Sequence, residues 1–178
     1  MDDALPAFRY HPDPIATGSV VASDATCACC GQARGFVYAP PVHGAQAIEG
    51  ALCPWCIADG SAARELGASF ADPYGLAQAG VALDVIDEIE SRTPSYTSWQ
   101  QEEWLSHCGD ACEFHGDAPL EDVLHAGAET KAAWRAANQL TDEHWLDITR
   151  DYRPGGNPAF YKFVCRHCGC VQLGWDCS

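Results

Sequence analysis

The sequence predicts an α+β protein in which two zinc-knuckle, ribbon-like β-hairpin modules, each closed by four cysteines, are joined and packed by several short helices. Three observations lead there. Eight of the eleven cysteines fall into four close pairs, Cys27/Cys30, Cys53/Cys56, Cys108/Cys112 and Cys165/Cys168. Short apolar strands flank the first and the last pair. Between them, apolar residues recur at helical spacing instead of alternating.

Taken in order, residues 5–20 carry Pro6, Pro12 and Pro14 and should run extended, with Phe8 and Tyr10 as docking side chains. "SVVAS" (19–23) leads into the first knuckle and "GFVYAPP" (35–41) leaves it, a hairpin that Pro40 stops. Pro54 opens a short helix through Ala58–Leu66, which Gly67 ends. Val81, Val85, Ile86 and Ile89 share one helix face, and Pro94 halts that helix. Ser98 is then placed to cap a helix through Trp99–Ser106. Helical stretches follow at about 119–126 and 129–140, and Thr141 caps another running to about Arg150. "RPGGNP" (153–158) turns into a last hairpin with Cys165 and Cys168 at its tip. The expected organisation is an N-terminal zinc-binding module over 1–75 and a helical segment plus C-terminal module over 76–178, together one compact unit.

A Cys-x-x-Cys pair chelates because its two intervening residues form a tight turn that aims both sulfurs inward; a second pair closes the tetrahedron. Cys27–Cys30 and Cys165–Cys168 are each followed by glycine (Gly31, Gly169), which takes the positive φ such a knuckle needs. Sequential pairing gives one site from Cys27, Cys30, Cys53 and Cys56, and a second from Cys108, Cys112, Cys165 and Cys168: two Zn²⁺ per chain. Structural zinc brings roughly 10–16 kcal/mol of apparent binding free energy, comparable with a domain's net stability. Cys29, Cys170 and Cys177 are left over, the first two close enough to a knuckle to leave its register open by a residue or two. His107, His115 and His167 lie near enough to replace a thiolate.

Charge is the second large fact. Ten basic residues stand against 25 acidic ones, a net of −15. Residues 84–122 hold eleven acids against Arg92 alone. Such a chain repels phosphate, so direct nucleic-acid binding is disfavoured and a basic protein partner is favoured, although solubility alone also explains acidity. Glu102, Glu103, Asp110, Glu113 and Asp117 are the expected partner-binding acids. Trp99 with Tyr96 and Arg92 forms a second possible recognition surface, against core packing as the ordinary role of tryptophan. No apolar run reaches membrane length, and the acidic, proline-rich start lacks the features of a secretory signal. The expected compartment is the reducing cytoplasm, where many cysteines argue for zinc over disulfides.

No catalytic signature competes. Cys53-Pro54-Trp55-Cys56 has the form of a thioredoxin-type redox pair, but a partner pair upstream favours metal. No HExxH, P-loop, GxGxxG or GxSxG is present, and four-cysteine sites are closed to substrate. The expectation is a non-enzyme.

Several stretches resemble the CbrC family of bacterial proteins: Phe8-x-Tyr10-x-Pro12-x-Pro14, Cys53-Pro54-Trp55-Cys56-Ile57-Ala58-Asp59-Gly60, Arg92-Thr93-Pro94 through Trp99-Gln100-Gln101-Glu102 to His107-Cys108-Gly109-Asp110-x-Cys112, and Cys165-x-x-Cys168-Gly169. The resemblance implies a cytoplasmic protein without established enzymatic activity, from a family associated with tolerance to a nuclease colicin. With the charge, it suggests an acidic immunity protein that neutralises a basic, nuclease-type toxin. The alternatives are a zinc-stabilised regulatory adaptor in a stress or envelope pathway, and a thiol redox enzyme using Cys53 and Cys56.

Overall fold

The computed structural model describes residues 4–44 and 47–178. The mixed architecture expected from the sequence is present. Strands β1 (Val20–Ala22) and β2 (Phe36–Tyr38) pair antiparallel around the first knuckle, with Val20 opposite Tyr38. Where one helix was expected there are two, α1 (Pro54–Ala58) and α2 (Ser61–Leu66). The break is at Gly60, whose φ of 73° no continuing helix can hold. Helix α3 (Tyr74–Gln78) was not foreseen, and the expected boundary at 75/76 falls inside it. In α4 (Leu83–Arg92), Ile86 and Ile89 face inward as their spacing predicts.

The helix expected over 99–106 is absent. Residues 97–105 run without helix, and from Gln101 to Trp104 exposed and buried residues alternate. Side chains elsewhere take the backbone donors that a helix would have used. The Trp99 and Gln100 N–H groups donate to Asp176 Oδ2 (2.8 and 3.1 Å), and Glu103 N–H donates to the Tyr96 hydroxyl (3.0 Å). Tertiary bonding overrides local propensity.

A tight hairpin of β3 (Ser106–His107) and β4 (Asp110–Ala111) leads into β5 (Glu113–Asp117), whose EFHGD sequence has too little apolar alternation to announce a strand. Helices α5 (Leu120–Leu124), α6 (Ala128–Asn138) and α7 (Asp142–Thr149) follow close to expectation. Thr141 caps α7 as foreseen, its hydroxyl accepting from His144 N–H while the His144 ring accepts from Thr141 N–H. The last hairpin, β6 (Ala159–Val164) and β7 (Val171–Asp176), joins β5 in an antiparallel sheet ordered β5-β6-β7.

Alternation along β6 and β7 divides this sheet between two cores. Ala159, Tyr161 and Phe163 pack with Tyr10, Ile89, Tyr96, Trp104 and Phe114. Phe160, Leu173 and the half-buried Trp175 face α5–α7, packing with Val123, Trp134, Trp145 and Tyr152. A third core, with Phe8, Tyr38, Leu52, Ile57 and Phe70, surrounds the first cysteine group. The N-terminal segment thus spans two cores, Phe8 in one and Tyr10 in the other. His11 beside them is fully buried, its Nδ1 2.7 Å from Pro94 O and its Nε2 2.7 Å from Thr17 Oγ1.

Candidate metal centres

Both knuckles are built alike. Gly31 N–H donates to Cys27 O and Gly169 N–H donates to Cys165 O, each 2.9 Å, with glycine φ values of 68° and 72°. These bonds close a turn that leaves the paired sulfurs on one side. The Cys27 and Cys53 segments are then brought together by backbone pairing, Ala28 N–H to Ala51 O (2.8 Å).

In the first group Cys27, Cys30, Cys53 and Cys56 converge as the sequence predicts, all sulfurs within 4.8 Å of one another. The Cys27–Cys56 and Cys30–Cys53 separations are 3.9 and 3.8 Å. Two sulfurs about 2.3 Å from a tetrahedral zinc stand about 3.8 Å apart. The donor set therefore fits zinc in kind and in spacing. The approaches of 3.9 and 3.8 Å each join cysteines from different pairs, tying the two segments into one four-sulfur group. All eleven sulfurs in the chain are unbridged. Burial pushes the Cys27 thiol up, but the backbone N–H groups of Cys30, Cys53 and Cys29 outweigh it and bring it down to about 7. Burial and the neighbouring sulfur of Cys27 raise Cys53 to about 11. Without a cation, burial and the neighbouring sulfurs keep the Cys53 and Cys56 thiols protonated; a divalent ion reverses that penalty.

The second group departs from expectation. It consists of His107, Cys108, Cys165 and Cys168, and Cys112 lies outside it. The hairpin geometry explains why. Cys108 and Gly109 form its two-residue turn with φ of 54° and 75°, the two positive values of a type I′ connection. That turn carries Cys108 and His107 to the tip. Cys112 sits two residues beyond Asp110, about 7 Å farther along the strand. Its N–H donates to Leu105 O (2.9 Å), Trp104 Nε1–H donates to its carbonyl (2.9 Å), and its side chain is fully buried in the main core. His107 Nδ1 lies 3.3 Å from Cys108 Sγ and 3.4 Å from Cys168 Sγ, and those two sulfurs are 3.8 Å apart. A nitrogen and a sulfur sharing a tetrahedral zinc stand about 3.6 Å apart. A Cys₃His set fits.

The other ring nitrogen, His107 Nε2, faces Glu129 Oε1 at 3.5 Å, the carboxylate–histidine arrangement that orients metal-bound imidazoles. Cys170 adjoins His107 and Glu129 but is not part of the four-donor group. Of the other histidines near a knuckle, His115 contacts Glu113 (3.3 Å) and His167 contacts Asp110 (2.9 Å). Cys29 points away toward Ser61 Oγ (3.5 Å). The signal for His107 in the sequence is its place directly before Cys108-Gly109.

The acidic surface is also rearranged. Glu102 is only 8% exposed and accepts from His43 Nε2 at 2.9 Å, so it belongs to the interior and not to a docking face. Asp110 holds the Tyr10 hydroxyl (2.8 Å) and His167 (2.9 Å); burial works against its charge, but these donors bring its carboxyl below the ordinary range. Glu113 pairs with Arg166 (3.3 Å). Farther along the 84–122 stretch, Glu88 meets Arg9, Asp87 meets Arg92 and Asp122 meets Lys162. The chain's few cations thus neutralise much of the acidic segment. Among the five expected acids, Glu103 and Asp117 are exposed and without a cation partner among the described residues. Of the second recognition cluster, Tyr96 is buried and Arg92 engages Asp87, leaving Trp99, 54% exposed. No helix among the described residues is long and apolar enough to cross a membrane.

Comparison with known proteins places this architecture in a bacterial context. Residues 5–177 match the model of the family described as "Uncharacterised protein family (UPF0167)". The chain is 52% identical to the UPF0167 protein PA1536 of Pseudomonas aeruginosa over 99% of both chains. It is 42% identical to the UPF0167 protein Mb2317 of Mycobacterium bovis, over 96% of this chain and 92% of that one. No solved structure matches the chain significantly.

Proposed function

The chain belongs to the UPF0167 family, and from that premise we propose that it is a non-catalytic, zinc-stabilised acidic protein of the bacterial cytoplasm that captures a basic protein partner. The observation that carries the reading is the pair of four-donor groups, spaced for tetrahedral zinc and filled by protein side chains alone. Bound there, zinc supplies cross-linking and no open coordination position. The residues around it do the structural work: the knuckle glycines hold the turns, and Glu129 orients His107. The resemblance to CbrC sequences suggests the partner class, a nuclease-type toxin neutralised as an immunity protein would do it. The net charge of −15 supports that choice, because a basic nuclease domain would be steered toward this chain. A redox role for Cys53 and Cys56 is less well supported, since Cys56 meets Cys27 and Cys53 meets Cys30 in a four-sulfur group spaced for a metal.

Two measurements test the reading. Elemental analysis of purified protein should give about two zincs per chain, with the seven donor thiols protected from a thiol reagent until a strong chelator is added. Folded protein free of metal ends the structural-zinc reading. Co-expression with a basic nuclease toxin encoded beside the gene should protect cells, and replacing Glu103 and Asp117 with lysine should slow association at low salt. Protection that ignores these charges removes the electrostatic capture.

A further inference from the structure

One cavity brings the exposed Trp99 and the unpaired Asp117 together. About 270 Å³ in volume, it lies among Trp99, Asp117, Tyr161 and the Gly155–Gly156 turn. It is smaller than the roughly 300–1,000 Å³ of sites built for small molecules, and suits a single head group.

Trp99 is more than half exposed, yet it is tightly held. Its Nε1–H donates to Gly156 O (3.2 Å), and its backbone N–H donates to Asp176 Oδ2 (2.8 Å). The Tyr161 hydroxyl donates to Asp176 Oδ1 (3.0 Å). Asp176 therefore has both oxygens occupied and fixes both aromatic residues of the wall. Asp117 differs. Its carboxylate has no hydrogen bond or ion pair among the described residues, and burial pushes its pKa up. Across the cavity, Gly155 has a φ of 72°, and a Cβ there would sit 3.5 Å from Asp117 Oδ2. The turn leaves that oxygen uncovered.

A rigid exposed indole beside an unpaired, partly desolvated carboxylate is complementary to a planar organic cation. The ring face attracts positive charge, and the carboxylate offers the two acceptors that a guanidinium's forked donors match. We infer that this cavity receives an arginine side chain of a basic protein partner. The inference rests on the proposed capture of such a protein and names where one of its side chains goes.

The test uses the full-length, zinc-loaded chain and a probe peptide, acetyl-Gly-Arg-Gly-amide, with its citrulline counterpart as neutral control. Binding is followed by the NMR shifts of the Trp99 indole N–H and the Asp117 and Gly155 backbone N–H groups. The arginine peptide should give saturable shifts at these three positions, the citrulline peptide none. D117N should weaken binding about tenfold through loss of the charge-assisted pair, and W99A about two- to fivefold. Equal responses to arginine and citrulline, unchanged affinity in D117N, or no response to the arginine peptide at all would overturn the assignment. So would tighter binding of free arginine than of the capped peptide, which would make the ligand a small molecule. The peptide comparison on the native chain decides even where a variant folds poorly. Failure here leaves zinc content and salt-dependent toxin capture untouched, so the two readings fall separately.

Discussion

Replacing His107 and Cys112 one at a time separates two arrangements of the second metal centre. If His107 is the fourth donor, H107A removes one of four ligands from a site worth roughly 10–16 kcal/mol in all. An even share is about 2.5–4 kcal/mol, a loss of about 10²–10³-fold in zinc affinity at that site. The first centre should keep its metal, because none of its donors changes. C112A removes a fully buried sulfur from the main core and no donor. It should leave both zincs bound and cost about 1–2 kcal/mol through lost packing, near the cost of a buried methylene plus its cavity. For a chain of this size that lowers the melting temperature by about 2–8 °C. Competition against a chromophoric chelator reads the affinities, and thermal unfolding reads the packing cost. A C112A protein with one zinc beside an H107A protein with two would refute the hairpin-tip argument.

Three further perturbations probe the interior. Glu102→Lys removes the acceptor facing His43 Nε2 and puts an unpaired positive charge in a site only 8% exposed, and should destabilise by about 2–4 kcal/mol in denaturant unfolding, while E103K should be near neutral. Trp134→Ala empties the centre of the helical core, where the ring meets Trp145 at 4.9 Å and Trp175 at 5.7 Å; a loss of about 3–5 kcal/mol is expected in the same assay. Burial lowers His11 from 6.5 to about 4. Between those values the unfolded chain binds the proton and the folded chain does not, so stability falls as pH drops from 6.5 toward 4, by about 3 kcal/mol in all, and then levels off. Unfolding measured at pH 7 and pH 5 should show that slope in the native chain and a shallower one in H11Q; equal slopes would refute it.

What could be read from the sequence follows from how local each signal is. A Cys-x-x-Cys-Gly knuckle is complete within five residues, so both knuckles and the last hairpin were legible. The Thr141 cap was legible for the same reason. Pairing Cys108 with Cys112 failed because a four-residue spacing means one thing on a helix and another across a two-residue β-turn; only the turn at Cys108-Gly109 decides. The segment 97–105 misled because Asp176 and Tyr96 supply its hydrogen bonds from elsewhere in the chain. Glu102 looked like a surface acid because its partner, His43, lies 59 positions away.

An ion in the second centre would fasten Cys108 to Cys165, and all three helices of the later half lie on the 56 residues between them. A protease cut in any linker of that stretch would leave two fragments still clasped through the ion, migrating as one species under native conditions. Sequestering the ion would release that clasp, so the severed polypeptide becomes a reporter of its own metal occupancy.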